Sequence, residues 1–145
     1  MTVAKLLIGR DRIVTVTPDT PVREAVSLLA EHRIGAVPVV SGEMDALTVL
    51  GIFSERDVIY GIAKDGDALL DRPVESAMTA PAITVPPETS LLNALSLMTR
   101  RRIRHLPVVE AGRLRGFVSI GDLVKARIDH IQSEAEALKD YIRSA

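Results

Sequence analysis

Cysteine and tryptophan are both absent from the 145-residue chain, and only 3% of its residues are aromatic. Without cysteine the chain has neither a disulfide framework nor a thiolate nucleophile. Because 47% of the residues are nonetheless hydrophobic, the core must consist of valine, isoleucine, leucine and alanine. No apolar run is long enough to span a bilayer, and the apolar stretch within residues 1–9 is too short for a signal peptide. We therefore expect a cytoplasmic protein with no membrane partner.

Neither positive nor negative charge dominates the chain, which carries 18 basic and 19 acidic residues. A formal net charge of -1 provides no global field that would draw the protein to nucleic acid. The three histidines, His32, His105 and His130, lack metal-ligand spacing, and there is no glycine-rich phosphate loop or nucleophile elbow. We therefore expect no enzyme activity, no catalytic residues and no metal site.

An internal repeat is the main feature that the sequence does contain. Shifted by 69 positions, residues 15–40 overlie residues 84–109, and twelve of these 26 pairs are identical. Beyond this block the offset falls to 65, because the turn at residues 41–47 of the first copy holds 69 − 65 = 4 extra residues. Insertions are tolerated best in turns, so the alignment indicates a duplicated structure. The second offset aligns Gly51 with Gly116, Ser54 with Ser119, and Asp57 with Asp122.

Each copy predicts the order strand, helix, strand, strand, helix. Alternating stretches at residues 13–16 and 83–85 predict the opening strands. An amphipathic helix follows, then two short apolar strands joined by a turn that contains Gly42 or Gly112. The predicted fold class is mixed α/β, of the α+β type. It comprises two pseudo-twofold related repeats, each a small mixed sheet with two helices, plus a C-terminal helix.

The predicted organisation is a first repeat at residues 6–64, a linker at 65–72, a second repeat at 73–127 and a C-terminal helical extension at 128–145. Residues 73–78 connect into the second copy, and Leu6 and Leu7 are expected to do the same for the first. In the last part of the chain, apolar residues recur at heptad spacing. This stripe predicts either a helix on its own core or a helix that pairs with another subunit. Its members are Val124, Ile128, Ile131, Ala135, Leu138 and Ile142.

The two copies resemble a tandem pair of CBS domains (a Bateman module) of the stand-alone bacterial type. The resemblance is carried by Pro-Val-Val at residues 38–40 and 107–109, and by Ser-x-x-Asp at 54–57 and 119–122. It covers residues 6–127. It implies a pseudo-twofold disk with two ligand clefts between the repeats, and no catalytic cofactor. The implied ligand is an adenine nucleotide, AMP above ADP, ATP or NAD(H), with a homodimer and an unknown protein regulated in trans.

The two Ser-x-x-Asp motifs have two compatible interpretations. Serine followed by an acidic residue three positions later is typical of a helix N-terminus, where the serine caps the helix and the acid reaches back. The same geometry offers N–H groups and positive dipole to a phosphate, and a carboxylate to ribose hydroxyls. The resemblance implies that Asp57 and Asp122 hold ribose, and that Ser54 and Ser119 lie near phosphate.

The resemblance implies that the stronger cleft combines the Ser-x-x-Asp motif of the first repeat with the residues before a strand of the second. Arg104 and His105 precede the predicted strand at residues 106–109 and are suited to phosphate. Ile83 and Ile103 are expected to form an apolar slot for adenine. The ligand-binding residues predicted here are Ser54, Arg56, Asp57, Thr79, Ile83, Ile103, Arg104 and His105.

The second predicted cleft is expected to bind more weakly or to prefer another nucleotide. Gly35 and Ala36 stand where Arg104 and His105 stand in the other copy, so the basic pair is missing. Arg10 and Arg12 are the candidates to substitute for it, and the small residues leave room for a bulkier ligand such as NAD(H). The residues predicted here are Arg10, Ile13, Ile34, Gly35, Ala36, Ser119, Gly121 and Asp122.

Two alternatives to nucleotide sensing remain open in the sequence. A dimerisation or scaffold module with vestigial clefts has the same strands and the same C-terminal stripe. Nucleic-acid binding rests only on the arginine cluster at residues 100–104, which has no stacking aromatics beside it.

Overall fold

A computed structural model describes residues 1–10 and 12–144 and contains two copies of one α+β unit. The first copy consists of α1 (Val22–His32), β1 (Ala36–Ser41), β2 (Thr48–Ser54) and α2 (Glu55–Asp65). The second consists of α3 (Leu91–Arg101), β3 (His105–Glu110), β4 (Arg113–Ser119) and α4 (Ile120–Ser144). Short 3₁₀ helices occupy Val3–Leu7, Gly66–Asp71 and Val74–Ser76. The predicted fold class and duplication are confirmed.

Each repeat forms a two-stranded antiparallel sheet, β1 with β2 and β3 with β4. The strand register shifts at the same place in both, between Val39 and Val40 and between Val108 and Val109. The predicted opening strands at residues 13–16 and 83–85 are reduced to one parallel bridge each, at Val16 and Val85. After each bridge, prolines follow within two residues and supply no N–H that would extend the ladder towards the C-terminus.

Two hydrophobic cores form, one for each repeat. The first contains one face of α1 and the inner residues of its strands, together with Leu69 and Val74 from the 3₁₀ helices that follow α2. The second contains the equivalent residues of α3, β3 and β4 together with Val3 from the N-terminal 3₁₀ helix. Both Val3 and Val74 are fully buried. Each core is therefore completed by a segment outside its sheet and helices.

Leu6 and Leu7, which were expected to connect into the first repeat, pack against the core of the second. The backbone explains this placement. The N–H of Val3 donates to the Thr89 carbonyl (2.8 Å), and that of Ala4 donates to the Pro87 carbonyl (3.0 Å). These bonds hold the N-terminal segment against the second repeat although it precedes the first in sequence.

Helix α4 continues without a break through the predicted boundary at residue 128. Leu123 and Ala126 are buried in the second core, but every described residue from 131 onward is exposed. The interpretation that the apolar stripe lies on its own core is therefore wrong, because the helix runs past the end of that core. Ala145, in the predicted extension, lies outside the described residues. Within residues 1–10 and 12–144 no helix is both long and apolar enough for a bilayer.

Glycine at position 51 allows the chain at Thr79 to lie against β2. Ile52 and Thr79 exchange two backbone hydrogen bonds of 2.9 Å, and a Cβ at position 51 would lie 2.7 Å from the Thr79 carbonyl oxygen. The equivalent Gly116 faces only the flexible side chain of Leu7. We predict that Gly51→Ala lowers the free energy of unfolding by about 1–3 kcal/mol, as overpacking typically does.

Gly116→Ala is the matched control, since a leucine side chain rotates away more readily than backbone moves. Urea denaturation of both variants measures the difference. Equal losses of stability in the two variants would contradict the inference that the backbone at Thr79 restricts position 51.

Candidate functional site

The first turn of α2 is fixed by reciprocal hydrogen bonds between Ser54 and Asp57. The Ser54 N–H donates to Asp57 Oδ2 (2.9 Å), and the Asp57 N–H donates to Ser54 Oγ (3.4 Å), which is a capping box. The Glu55 N–H donates to the Gly35 carbonyl at 3.0 Å. The helix N-terminus therefore has fewer free N–H groups for a phosphate than the sequence interpretation assumed, and arginine side chains are the main remaining donors.

All eight residues predicted for the stronger cleft line a single cavity of 790 Å³, here called the first cleft. Ser54 and Asp57 come from the first repeat, whereas Ile103, Arg104 and His105 come from the second. Thr79 lies beside them, and its hydroxyl donates to Asp57 Oδ1 (3.0 Å). The cavity thus lies between the start of α2 in the first repeat and the residues at the start of β3 in the second.

Basic side chains outnumber acidic ones in the first cleft. Arg56 and Arg104 were predicted there, and Arg101 and Arg102 also line it. The Arg56 guanidinium donates to the Arg102 carbonyl (3.4 Å), which links the two repeats across the cavity. Arg101 and Arg102 belong to the arginine cluster at residues 100–104 and were not among the residues predicted for this cleft. Tyr60, half-way along α2, also lines this cleft and was missed because the helix pattern alone did not show which face meets the other repeat.

A second cavity of 550 Å³, here called the second cleft, contains seven of the eight residues predicted for it. These are Arg10, Ile13, Ile34, Gly35, Ala36, Ser119 and Asp122. Gly121 does not line it. That glycine is exposed in the first turn of α4, and a Cβ built on it would meet only the Ser119 hydroxyl, at 3.7 Å, so its placement in the cleft was wrong.

Asp122 in the second cleft is neutralised by Arg10. The Arg10 guanidinium lies 3.2 Å from Asp122 Oδ1 and donates to Oδ2 at 3.3 Å. Burial of Asp122 opposes its ionisation, but the Ser119 N–H and hydroxyl and the Arg10 guanidinium outweigh it and hold the pKa below its ordinary range. At the equivalent Asp57, the hydroxyl of Thr79 takes the place of the Arg10 guanidinium as a hydrogen-bond donor.

The second cleft is also basic, although the pair at positions 104 and 105 has no equivalent in the first repeat. Arg12, Arg33 and Arg115 line it together with Arg10. Arg33 and Arg102 occupy equivalent positions in the repeat, and both adopt the left-handed conformation at a helix C-terminus, with φ of 52° and 54°. Because Arg102 was itself not among the predicted cleft residues, this equivalence could not have located Arg33 at a cleft. Nothing in the pattern of β4 indicated Arg115.

His105 lies between the two clefts and lines both. Its ring stacks on Phe117 with centroids 5.5 Å apart and an interplanar angle of 11°. Its Cε1 atom lies 3.3 Å from where a Cβ on Gly35 would be, so the glycine leaves room for the ring. Burial lowers the pKa of His105, the carboxylates of Asp122 and Glu55 partly offset this, and Arg104 lowers it further.

The two clefts share one chemical design. Each has a carboxylate at a helix N-terminus, several guanidinium groups and apolar walls, a combination that suits an anionic ligand with vicinal hydroxyls and a flat apolar group. Within residues 1–10 and 12–144, no three histidine or acidic side chains cluster as a metal site would require.

Comparison with known proteins identifies the same duplication. A family model described as CBS domain matches twice, at residues 6–64 and 74–129. The mitochondrial CBS domain-containing protein CBSX3 of Arabidopsis thaliana is 41% identical over 130 residues, which cover 88% of this chain and 62% of that protein. The present chain therefore spans less than two thirds of the length of this relative.

Solved structures share the fold. A CBS-domain containing protein from Agrobacterium tumefaciens is 44% identical, with a TM-score of 0.79 over 87% of this chain and 92% of that chain. The crystal structure of CBSX2 in complex with AMP is 28% identical, with a TM-score of 0.75 over 88% of this chain and 96% of that chain.

The lowered pKa of His105 predicts a pH-dependent stability. Between the folded pKa and the ordinary value near 6.5, the unfolded chain binds more protons at this site than the folded protein. The free energy of unfolding therefore falls as the pH is lowered through that window. We expect the loss between about pH 7.5 and about pH 6 to be smaller in His105→Gln than in the wild type.

Denaturant titrations at the two pH values measure this loss, and the exposed His32 provides the control variant His32→Gln. A loss in His105→Gln equal to that of the wild type would assign the pH dependence to other groups.

Proposed function

Since this chain belongs to the CBS-domain family and carries two CBS domains in tandem, we propose that it is a regulatory module that binds AMP. The observation that carries this proposal is the convergence of eight residues from both repeats on one 790 Å³ cavity. Its volume lies within the range usual for small-molecule sites. The structure of CBSX2, solved with AMP, supports the same class of ligand for this chain.

In the proposed complex the Asp57 carboxylate accepts hydrogen bonds from the ribose hydroxyls. Its two oxygens already hold the Ser54 N–H and the Thr79 hydroxyl, which fix their direction. Each carboxylate oxygen accepts more than one hydrogen bond, so both retain capacity for a ligand. The adenine ring takes the apolar slot between Ile83 and Ile103.

The phosphate of AMP is bound by arginine side chains in this proposal. Arg56 and Arg104 approach the cavity from opposite repeats. Guanidinium groups bind phosphate in a bidentate manner, and a ligand held by both repeats stabilises their relative arrangement. That difference between the bound and free forms is the signal that a sensor transmits, because a ligand with equal affinity for both conformational states does not shift the equilibrium between them.

The second cleft is proposed as the weaker site. A ribose at Asp122 must displace or share the Arg10 guanidinium, which lies 3.2 Å from the carboxylate. Within residues 1–10 and 12–144, four arginines line each cleft, but the second has one carboxylate where the first has two, which favours a ligand with more negative charge than AMP, such as ADP or ATP. NAD(H) is a candidate there because Gly35 and Ala36 leave room for a bulkier ligand.

The remaining parts of the proposal concern partners and location. We propose that the module acts in trans on another protein inside the cell, as a homodimer and without catalysing a reaction. Nucleic-acid binding through residues 100–104 is disfavoured, because Arg101, Arg102 and Arg104, although exposed, line a cavity of a size that suits a small molecule. A scaffold with vestigial clefts remains the alternative, and it predicts no nucleotide binding.

Calorimetric titration with AMP tests the proposal on the wild type, Asp57→Asn and Arg104→Ala. Each variant loses hydrogen bonds that involve a charged group, worth about 1.5–3 kcal/mol, so the affinity is expected to fall by roughly ten- to a hundredfold. Titrations with ADP, ATP, NAD⁺ and NADH rank the ligands.

Arg100→Ala is the matched control, because Arg100 is exposed and does not line the cleft. Its affinity for AMP should equal that of the wild type. Circular dichroism and thermal unfolding establish that each variant is folded. Unchanged binding in both site variants would overturn the site, and no binding of any of the five nucleotides would favour the scaffold.

A further inference from the structure

The two clefts adjoin each other at three residues, Gly35, His105 and Ser119, each of which lines both cavities. Of these three, only His105 has a side chain that gains or loses a proton near neutral pH. The repeats are not symmetric at this junction. Ala36 of the first repeat stands where His105 stands in the second, so only one copy supplies an imidazole. A single titratable group therefore serves both clefts.

Packing holds the His105 ring at the junction. The ring stacks on Phe117, which lines only the second cleft, with centroids 5.5 Å apart. A Cβ on Gly35 would lie 3.3 Å from the Cε1 atom, so the ring fills the space that the glycine leaves. Among residues 1–10 and 12–144, no hydrogen bond to the imidazole contributes to its pKa. Both ring nitrogens are therefore available to oxygen atoms of a ligand.

Charged groups from both clefts act on this ring. The Glu55 carboxylate belongs to the first cleft, and its Oε1 atom and His105 Nε2 each lie 3.6 Å from the place of a Cβ on Gly35. Asp122 belongs to the second cleft. Burial lowers the pKa of the imidazole, the carboxylates of Asp122 and Glu55 partly offset this, and the neighbouring Arg104 lowers it further. The charge of the ring therefore depends on what occupies either cleft.

The other ionisable groups around the ring keep their charge near neutral pH. Arg10 pairs with Asp122, and it stays protonated with the other arginines of the clefts. The pKa of Asp122 lies below its ordinary range, so this carboxylate stays ionised. Among the described residues that line the clefts, His105 is the only histidine. It is therefore the group that can respond to a ligand by binding a proton.

We propose that His105 couples the two clefts: an anionic ligand in either cleft makes the imidazole take up a proton, and the imidazolium then favours an anion in the other cleft. This inference rests on the proposed function, because it requires both clefts to bind a nucleotide phosphate. A neutral imidazole has one N–H donor, whereas the imidazolium has two, one for each ligand. The coupling is reciprocal, so each ligand strengthens binding of the other by the same factor.

The coupling is confined to a window of pH. Because the pKa of His105 lies below its ordinary value of 6.5, the free protein carries a largely neutral ring at pH 7. Well below the window the ring is charged before any ligand binds, and well above it the ring stays neutral with both ligands bound. If an anion strengthens proton binding by about tenfold, the second anion gains at most about threefold in affinity. Repulsion between the two phosphates opposes this gain at every pH and is screened by salt.

The proton uptake is measured on the unmodified protein from the imidazole signals of its three histidines in carbon–proton NMR spectra. Titrations from about pH 5 to about pH 9 are expected to show that saturating AMP raises the pKa of His105. Adenosine, which has no phosphate, is the matched ligand and should produce a much smaller rise. His130 lines neither cleft and provides the internal reference signal. Equal midpoints for His105 with AMP and without it would overturn the proposal.

The coupling itself is measured by following one amide signal in each cleft during the AMP titration. Thr79 lines only the first cleft and Arg115 only the second. In the wild type, the coupling factor is expected to be up to about threefold higher at about pH 7 than at about pH 9. His105→Gln should show no such dependence, whereas His32→Gln, a substitution of an exposed histidine, should behave as the wild type. The phosphate of AMP titrates near pH 6 in all three proteins, so the difference between them isolates the imidazole.

Failure of this proposal is distinguishable from failure of the proposed function. No change in any amide signal with AMP would overturn both. Saturable binding in both clefts with the same pH dependence of the coupling in the wild type and in His105→Gln would overturn the coupling alone. Binding of AMP in only one cleft at every concentration would also overturn the coupling and leave the sensor intact.

Discussion

Each hydrophobic core is completed by a valine from outside its sheet and helices. The rest of the structure depends on this constraint. Val74 completes the first core, and Val3 completes the second. Both valines are fully buried and both lie in 3₁₀ helices. A two-stranded sheet with two helices buries too little apolar surface to be secure at this size. Because Val3 precedes the first repeat and packs in the second, it ties the two repeats to each other.

The segments that supply these valines also shape the clefts. The chain that follows Val74 reaches β2 at Thr79, whose hydroxyl bonds to Asp57. The chain that follows Val3 reaches Asp122 through Arg10. Equivalent carboxylates in the two repeats therefore have different partners, a neutral hydroxyl in one case and a guanidinium in the other. The repeats share one fold, yet this difference gives the two clefts unlike affinities for a ribose in our proposal.

Features carried by local pattern were predictable from the sequence. The duplication, the order of helices and strands and the starts of α2 and α4 at Ser54 and Ser119 follow from periodicity and capping. The convergence of Asp57 with Arg104 and His105 followed from family resemblance. The rest depends on tertiary contacts between distant residues. No local pattern shows that Leu7 packs on the second repeat, that Arg33 and Arg115 line a cleft, or that α4 extends beyond the core of its repeat.

The most direct test of AMP binding in the first cleft is a two-dimensional NMR titration of the ¹⁵N-labelled protein with AMP. Backbone amides from Ser54, Thr79 and Arg104 lie on three separate segments that meet only at this cavity. The account predicts that their signals shift together at the lowest AMP concentrations, before those of Arg115 and Asp122, which line only the second cleft. Shifts that begin at the second cleft, or that are confined to residues outside both clefts, would contradict it.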